Sequence, residues 1–177
     1  LMFLIVPNLL ELSMCSNLIN SYQKNINLAH KWRDTYPLLV KPTKDYLDIF
    51  CRFFNNYIER MEIVKWPENS YQEKHFDEYP YKNYQSGLAS ITYLNDDYEG
   101  GQTCIVDQKL YVNPKTGTTF YFDGRKYEHE VKPVKNGTRY TLAIWYTDHE
   151  DFDWQKVRQN ELNDMYSDKY SDMYRIV

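Results

Sequence analysis

No stretch of this sequence is apolar for long enough to cross a bilayer as a helix. Leu1 to Val6 is apolar but short, has no basic flank and runs into Pro7, so it is not read as a signal peptide. Positive charge is also in short supply: 21 Lys and Arg stand against 25 Asp and Glu, a net charge of −4. That balance argues against a surface built for nucleic-acid phosphates. Cysteine is scarce and unpatterned. Cys15, Cys51 and Cys104 are odd in number and form no C-x-x-C knuckle, which points to free buried thiols in a reducing, cytoplasmic setting.

Tyrosine, by contrast, is abundant, with 18 residues, and the 177-residue chain is long enough for one domain with a sizeable core. Leu1–Val6 reads as a strand. A helix over 10–24 follows, with Leu12, Cys15, Leu18, Ile19 and Tyr22 on one face. A second helix over 43–56 has Thr43 as N-cap and Asp45 in its first turn; Tyr46, Leu47, Phe50, Cys51, Phe53 and Phe54 form its apolar stripe. The segment 25–42 has no clear period and reads as a loop or strand pair, with a substrate-covering lid as the functional alternative. Beyond it lie short strands broken by turns: 58–66, 87–94, 103–106, 109–112, 118–122 and 138–146.

The chemistry-bearing stretch runs from Lys74 to Tyr146. Residues i and i+2 of a strand share a face, so His75 and Asp77 can reach one metal ion while Phe76 turns away into packing. Alone, H-x-D is also the pattern of a surface His–carboxylate pair. His129, after the Asp123-Gly124 turn, is the candidate third ligand, brought in from another strand. Two histidines and one carboxylate on one side of a metal leave its other positions open, the facial triad of non-haem Fe(II) oxygenases. Ten residues on, Arg139 offers an always-charged fork suited to a carboxylate. Thr141 shares its strand face and adds a hydroxyl there. Ala143 and Trp145 follow on that face, Trp145 as a floor of the site or a core residue.

These residues sit in a longer pattern: Tyr93-Leu94-Asn95, Gly100-Gly101-Gln102-Thr103, Pro114-Lys115-Thr116-Gly117, His129-Glu130-Val131-Lys132-Pro133-Val134 and Gly137-Thr138-Arg139-Tyr140. In order and spacing it resembles the 2-oxoglutarate- and Fe(II)-dependent dioxygenases, specifically the prolyl 4-hydroxylase branch. The last strand is similar to that of the hypoxia-factor prolyl hydroxylases. The resemblance spans residues 5–148. It departs at Trp66, where the family often has tyrosine.

The resemblance implies a mainly β fold with flanking helices, a double-stranded β-helix (jelly roll). The domain plan is a single one over 1–177: supporting strand and helices to 56, a catalytic core over 57–148, and a helical tail over 149–177. It implies Fe(II) on His75, Asp77 and His129, and 2-oxoglutarate held by Arg139 and by the hydroxyl of Tyr93. O2 is the oxidant and ascorbate the agent that rescues iron. The implied reaction is that of a procollagen-proline 4-dioxygenase: hydroxylation of peptidyl proline with release of succinate and CO2. Tyr71 and the loop tyrosines Tyr79, Tyr81 and Tyr84 are candidates to line a groove for a proline-rich peptide. The expected partner is therefore a protein or peptide, with no nucleic acid and no membrane. Alternatives are action on another residue or a free amino acid, a non-catalytic jelly-roll binding domain, or a zinc hydrolase, which has no use for Arg139.

Overall fold

The structure, a computed structural model, describes residues 3–77 and 86–149. Its elements in chain order are β1 (Phe3–Val6), α1 (Leu12–Lys24), β2 (Tyr36–Leu39), α2 (Lys44–Phe50), β3 (Tyr57–Trp66) and β4 (Gln72–His75). Then come β5 (Leu88–Tyr93), β6 (Glu99–Gly100), β7 (Thr103–Ile105), β8 (Leu110–Val112), β9 (Thr119–Asp123) and β10 (His129–Val131). β11 (Val134–Lys135) and β12 (Arg139–Thr147) complete the described strands. They assemble into a six-stranded sheet in the order β1-β9-β5-β12-β3-β2, a four-stranded sheet β4-β10-β7-β8, and the small pair β11-β6. Every pairing is antiparallel. Two facing sheets with non-sequential strand order form the jelly roll that the sequence pattern implied.

Strand alternation decides which residues meet the site. Along β12 the even positions Tyr140, Leu142, Ile144 and Tyr146 face outward. There they join Met61 and Ile63 of β3, Tyr121 of β9, Cys15, Leu18 and Tyr22 of α1, and Phe50 of α2 in the main core. The odd positions turn inward, toward the smaller sheet. Two apolar clusters tie the sheets together: Ala89, Tyr93, Phe120 and Phe122 against Ile105 and Val112, and Val64, Trp66 and Ala143 against Val131 and Val134. Burying such side chains contributes roughly 1.5–3 kcal/mol each, so one face of β12 is held by the helices while the other is left for chemistry.

The helices are shorter than their periodicity predicts. α1 begins at Leu12, which is 64% exposed instead of facing the core. α2 stops at Phe50 although the apolar stripe continues. There the Tyr121 hydroxyl donates to the Phe50 carbonyl at 3.1 Å, closing the helix end. Phe53 and Phe54, on a turn instead of a helix, place their rings 5.9 and 5.3 Å from that of Tyr121. Leu47 and Phe53 remain exposed. Thr43 stands at the N-cap without a side-chain capping bond. Between the helices, 25–42 contains a short 3-10 turn (Ile26–Leu28), a tight Trp32–Thr35 bridge and β2, which extends the large sheet beside β3. The strand reading of this segment therefore holds over 36–39. The expected tail helix lies outside the described residues.

Candidate active site

His75 ends β4 and His129 opens β10, and the two are direct cross-strand partners. Their ring centroids stand 4.2 Å apart. Asp77 follows two residues after His75, just past the strand. Its amide donates to the Gly124 carbonyl at 2.8 Å, which fixes the carboxylate over the same spot. One donor atom from each of the three residues lies within 4.8 Å of the others. Asp77 Oδ1 is 3.5 Å from His129 Nε2 and 3.8 Å from His75 Nε2.

The tautomers follow from the backbone. His75 Nδ1 lies 2.8 Å from the Glu73 carbonyl, and His129 Nδ1 lies 3.0 Å from that of Tyr127. A carbonyl can only accept, so each Nδ1 carries the proton and each Nε2 presents its lone pair. The Gln72 amide donates to His75 Nε2 at 3.2 Å, as that lone pair requires. Burial, reinforced by the neighbouring His129, lowers the His75 pKa and favours the neutral ring a metal needs. Burial alone would raise the Asp77 pKa. The hydrogen bond and charge that His129 offers when protonated, the charge of His75 in the same state and the Trp145 indole outweigh it, so the net shift is downward and the carboxylate stays ionised.

The surroundings of Asp77 were not read from the sequence. Trp145 Nε1 donates to Asp77 Oδ2 at 3.2 Å, leaving Oδ1 toward the histidines. The Arg60 guanidinium in turn sits 3.8 Å from the centroid of the Trp145 ring. Gly124 allows this approach, because a Cβ there would collide with the Asp77 carboxylate. Trp145 shares the odd-numbered face of β12 with Arg139, so alternation pointed to it. Nothing in the spacing pointed to Gly124. Phe76, expected to turn into packing, is instead 43% exposed. It follows β4, the edge strand of the four-stranded sheet.

Arg139 opens β12 and is only 1% exposed. Its guanidinium lies between two rings, 4.6 Å from the centroid of Trp66 and 5.4 Å from that of Tyr93. Trp66 is its cross-strand partner on β3, and this stacking explains how tryptophan serves at that corner. Nη2 donates to Thr103 Oγ1 at 3.2 Å. Nε and Nη1 are buried and find no hydrogen-bond partner among the described residues. A buried, half-unsatisfied guanidinium is costly unless something fills its remaining donors. A carboxylate is the group that fits them.

Register relates this anchor to the triad. Thr103 lies opposite Val131, and Ile105 lies opposite His129. The guanidinium's contact is thus two residues along β7 from the metal-side pair, about 7 Å at strand rise. That is on the order of the length of a five-carbon diacid.

Tyr93 is fully buried beside Arg139, but its hydroxyl is engaged elsewhere. It lies 2.9 Å from both Thr103 Oγ1 and the Val112 carbonyl, and it accepts from the Thr103 amide at 3.2 Å. The Thr141 hydroxyl accepts from the Trp66 indole at 3.2 Å. Both predicted residues line the anchor, each already tied to the protein. Tyr71 is 45% exposed at the entrance to β4. Tyr79, Tyr81 and Tyr84 lie outside the described residues. The group that no spacing argument found is Tyr98, whose buried hydroxyl also lacks a partner among the described residues.

The donor sets suit the groups the sequence pattern implied. Two imidazoles and a carboxylate, with open positions around them, match Fe(II). The unfilled guanidinium matches one end of an organic acid.

Comparisons with known proteins bear on the family and the fold. The family model of the 2OG-Fe(II) oxygenase superfamily matches residues 61–147. A relative from Acanthamoeba polyphaga mimivirus, named for prolyl 4-hydroxylase activity, is 25% identical over 154 residues. The match takes in 74% of this chain and only 62% of the relative's length. Among solved structures, the viral collagen prolyl hydroxylase of Paramecium Bursaria Chlorella virus-1, in its 2-oxoglutarate complex, superposes with a TM-score of 0.65 at 18% identity, covering 85% of this chain and 97% of that one. A Trichoplax adhaerens prolyl hydroxylase, bound to a peptide from the oxygen degradation domain of hypoxia inducible factor, gives 0.65 at 20% identity, covering 82% and 83%. At these identities the structural likeness establishes the jelly-roll fold.

Proposed function

We propose, since the chain belongs to the 2OG-Fe(II) oxygenase superfamily, that it is an Fe(II)- and 2-oxoglutarate-dependent dioxygenase that hydroxylates proline in a peptide, releasing succinate and CO2. The observation that carries this reading is the pairing of a ligand-poised His75, Asp77 and His129 on one sheet with a buried, half-unsatisfied Arg139 on the other. A binding domain or a hydrolase has no need of both.

In this reading His75, Asp77 and His129 hold the iron through Nε2, Oδ1 and Nε2. Arg139 holds the far carboxylate of 2-oxoglutarate, with Tyr93 and Thr141 shaping its pocket. When bound, iron and 2-oxoglutarate supply the oxidising power that converts a C–H bond to C–OH with O2. The protein's part is to position and to exclude water. Trp66, Tyr93 and Val134 make the anchor dry, which strengthens its charge-assisted bonds. Trp145 holds Asp77 in one rotamer, so both iron-facing sides of the site are preset.

Peptidyl proline is the substrate supported by the names of the relatives and by the peptide in the Trichoplax complex. Tyr71 at the mouth, with Tyr79, Tyr81 and Tyr84 near it in sequence, would offer the aromatic surface such a peptide prefers. Ascorbate would restore iron after turnovers that oxidise no substrate. We read residues 1–177 as one domain and place it in a reducing compartment, consistent with three free cysteines. Among the described residues no helix is long and apolar enough to cross a membrane.

The test is succinate release from 2-oxoglutarate with Fe(II), ascorbate and air, using proline-bearing peptides, the same peptides with proline replaced, and free proline. The expected result is stimulation by the proline peptides alone, with one oxygen atom added to proline. Stimulation by free proline alone would overturn the peptide reading. Absence of iron-dependent succinate with any of them would overturn the oxygenase reading.

A further inference from the structure

The loop between β5 and β6 brings Tyr98 to the anchor. Its ring packs against the cluster of Val64, Trp66, Val131, Val134 and Ala143 that joins the two sheets. Gly101 makes room for it. That residue has φ +63°, and a Cβ on it would stand 2.9 Å from Tyr98 Cε2 and 3.0 Å from Arg139 Cδ. One bare backbone position thus lets a phenol from a loop and a guanidinium from a strand converge.

Three buried polar atoms here lack partners among the described residues: Tyr98 Oη, Arg139 Nε and Arg139 Nη1. Native interiors leave few such groups unpaired, and a cluster of them marks the place of a missing partner. Tyr93, the other phenol beside Arg139, is committed to Thr103 and Val112. Burial raises the Tyr98 pKa, and the adjacent Arg139 only partly opposes that. At neutral pH it is therefore a protonated phenol with a hydrogen to donate.

We infer that Tyr98 is a binding residue for 2-oxoglutarate, its hydroxyl donating to the far carboxylate that the free edge of Arg139 also grips. This rests on the function proposed above and adds a recognition group to it. The consequence is selectivity. A site with both a guanidinium and a phenol to satisfy favours a diacid over a 2-oxo acid with an apolar end, which would leave both groups unpaired.

The experiment is calorimetric titration of 2-oxoglutarate into Mn(II)-loaded protein without O2, comparing wild type with Tyr98→Phe, Tyr93→Phe and Arg139→Met. Tyr98→Phe is expected to weaken 2-oxoglutarate about tenfold or more, the scale of a hydrogen bond to a charged group. It should leave Mn(II) affinity alone and narrow the preference over 2-oxobutyrate. In turnover the loss should fall on KM for 2-oxoglutarate more than on kcat. Its ligand-free melting temperature should change little, because the hydroxyl lies beside the Arg139 guanidinium without a hydrogen bond of good geometry, whereas a purely structural hydroxyl would lower it. Wild-type 2-oxoglutarate affinity in Tyr98→Phe, with binding lost in Arg139→Met, would overturn the assignment of Tyr98. Wild-type affinity in Arg139→Met would overturn the anchor itself and the function proposed with it.

Discussion

On the four-stranded sheet, His75 and His129 each hold their non-ligating nitrogen on a carbonyl two residues back in the chain, and Asp77 holds its second oxygen on Trp145. On the six-stranded sheet, Arg139 does the opposite: it is more deeply buried, yet two of its donors are left open. The metal side is a set of groups anchored through their non-ligating atoms, and of the ligating atoms His75 Nε2 is met by the Gln72 amide. The anchor side is a buried charge softened by two aromatic faces and completed only by a ligand. The first arrangement costs little when empty. The second resembles other buried unpaired charges, tolerated because binding needs it.

The largest expected effect tests the metal side. His129→Ala or Asp77→Ala should abolish iron-dependent succinate formation and remove the rise in melting temperature that Fe(II) or Mn(II) gives the wild type. A metal-induced shift surviving in either would break the triad. Arg139→Met should sharpen the contrast next. It is expected to cost about 2–5 kcal/mol of 2-oxoglutarate binding, the scale of a truncated buried charge pair. Its ligand-free melting temperature should match or exceed wild type, since the apolar side chain removes an uncompensated charge. A destabilised ligand-free Arg139→Met would show that stacking on Trp66 and Tyr93 already repays the burial, and the contrast between the two sides would fail.

Smaller effects come from the support of Asp77. Gly124→Ala puts a methyl group into its carboxylate and should weaken metal binding by roughly 10–100-fold, as for loss of an outer-sphere partner. Trp145→Phe removes only the indole N–H and keeps the ring under Arg60. It should weaken Mn(II) affinity by about tenfold, at the lower end of that range. Equal Mn(II) affinity in both variants and wild type, measured by competition with a chelator, would show that the carboxylate positions itself.

The same contrast explains what the sequence revealed. The triad was legible because its logic is local. His75 and Asp77 stand two residues apart, as a shared strand face requires, although Asp77 lies just past the strand end and is aimed by Gly124 and Trp145, and His129 stands in a short strand after a turn. Arg139, Thr141 and Trp145 were legible as one face of one strand. The anchor's other walls were not, because they depend on register. Trp66 meets Arg139 only through β3–β12 pairing. Tyr98 arrives from a loop whose path is set by positive-φ glycines at 100 and 101. The fate of the Tyr93 hydroxyl depends on β7 and β8, which supply Thr103 and Val112. Helix lengths failed for the same reason. Nothing near Phe50 in sequence says that Tyr121, far along the chain, will take its carbonyl.

The central claim is that one molecule of 2-oxoglutarate bridges the two sides. The most direct measurement is an oxygen-free titration of 2-oxoglutarate into Fe(II)-loaded protein, following the visible absorption that Fe(II) acquires when a 2-oxo acid chelates it. The account predicts that absorption in wild type, its absence in His129→Ala, and its appearance only at much higher 2-oxoglutarate concentrations in Arg139→Met. An absorption titrating identically in Arg139→Met and wild type would contradict it.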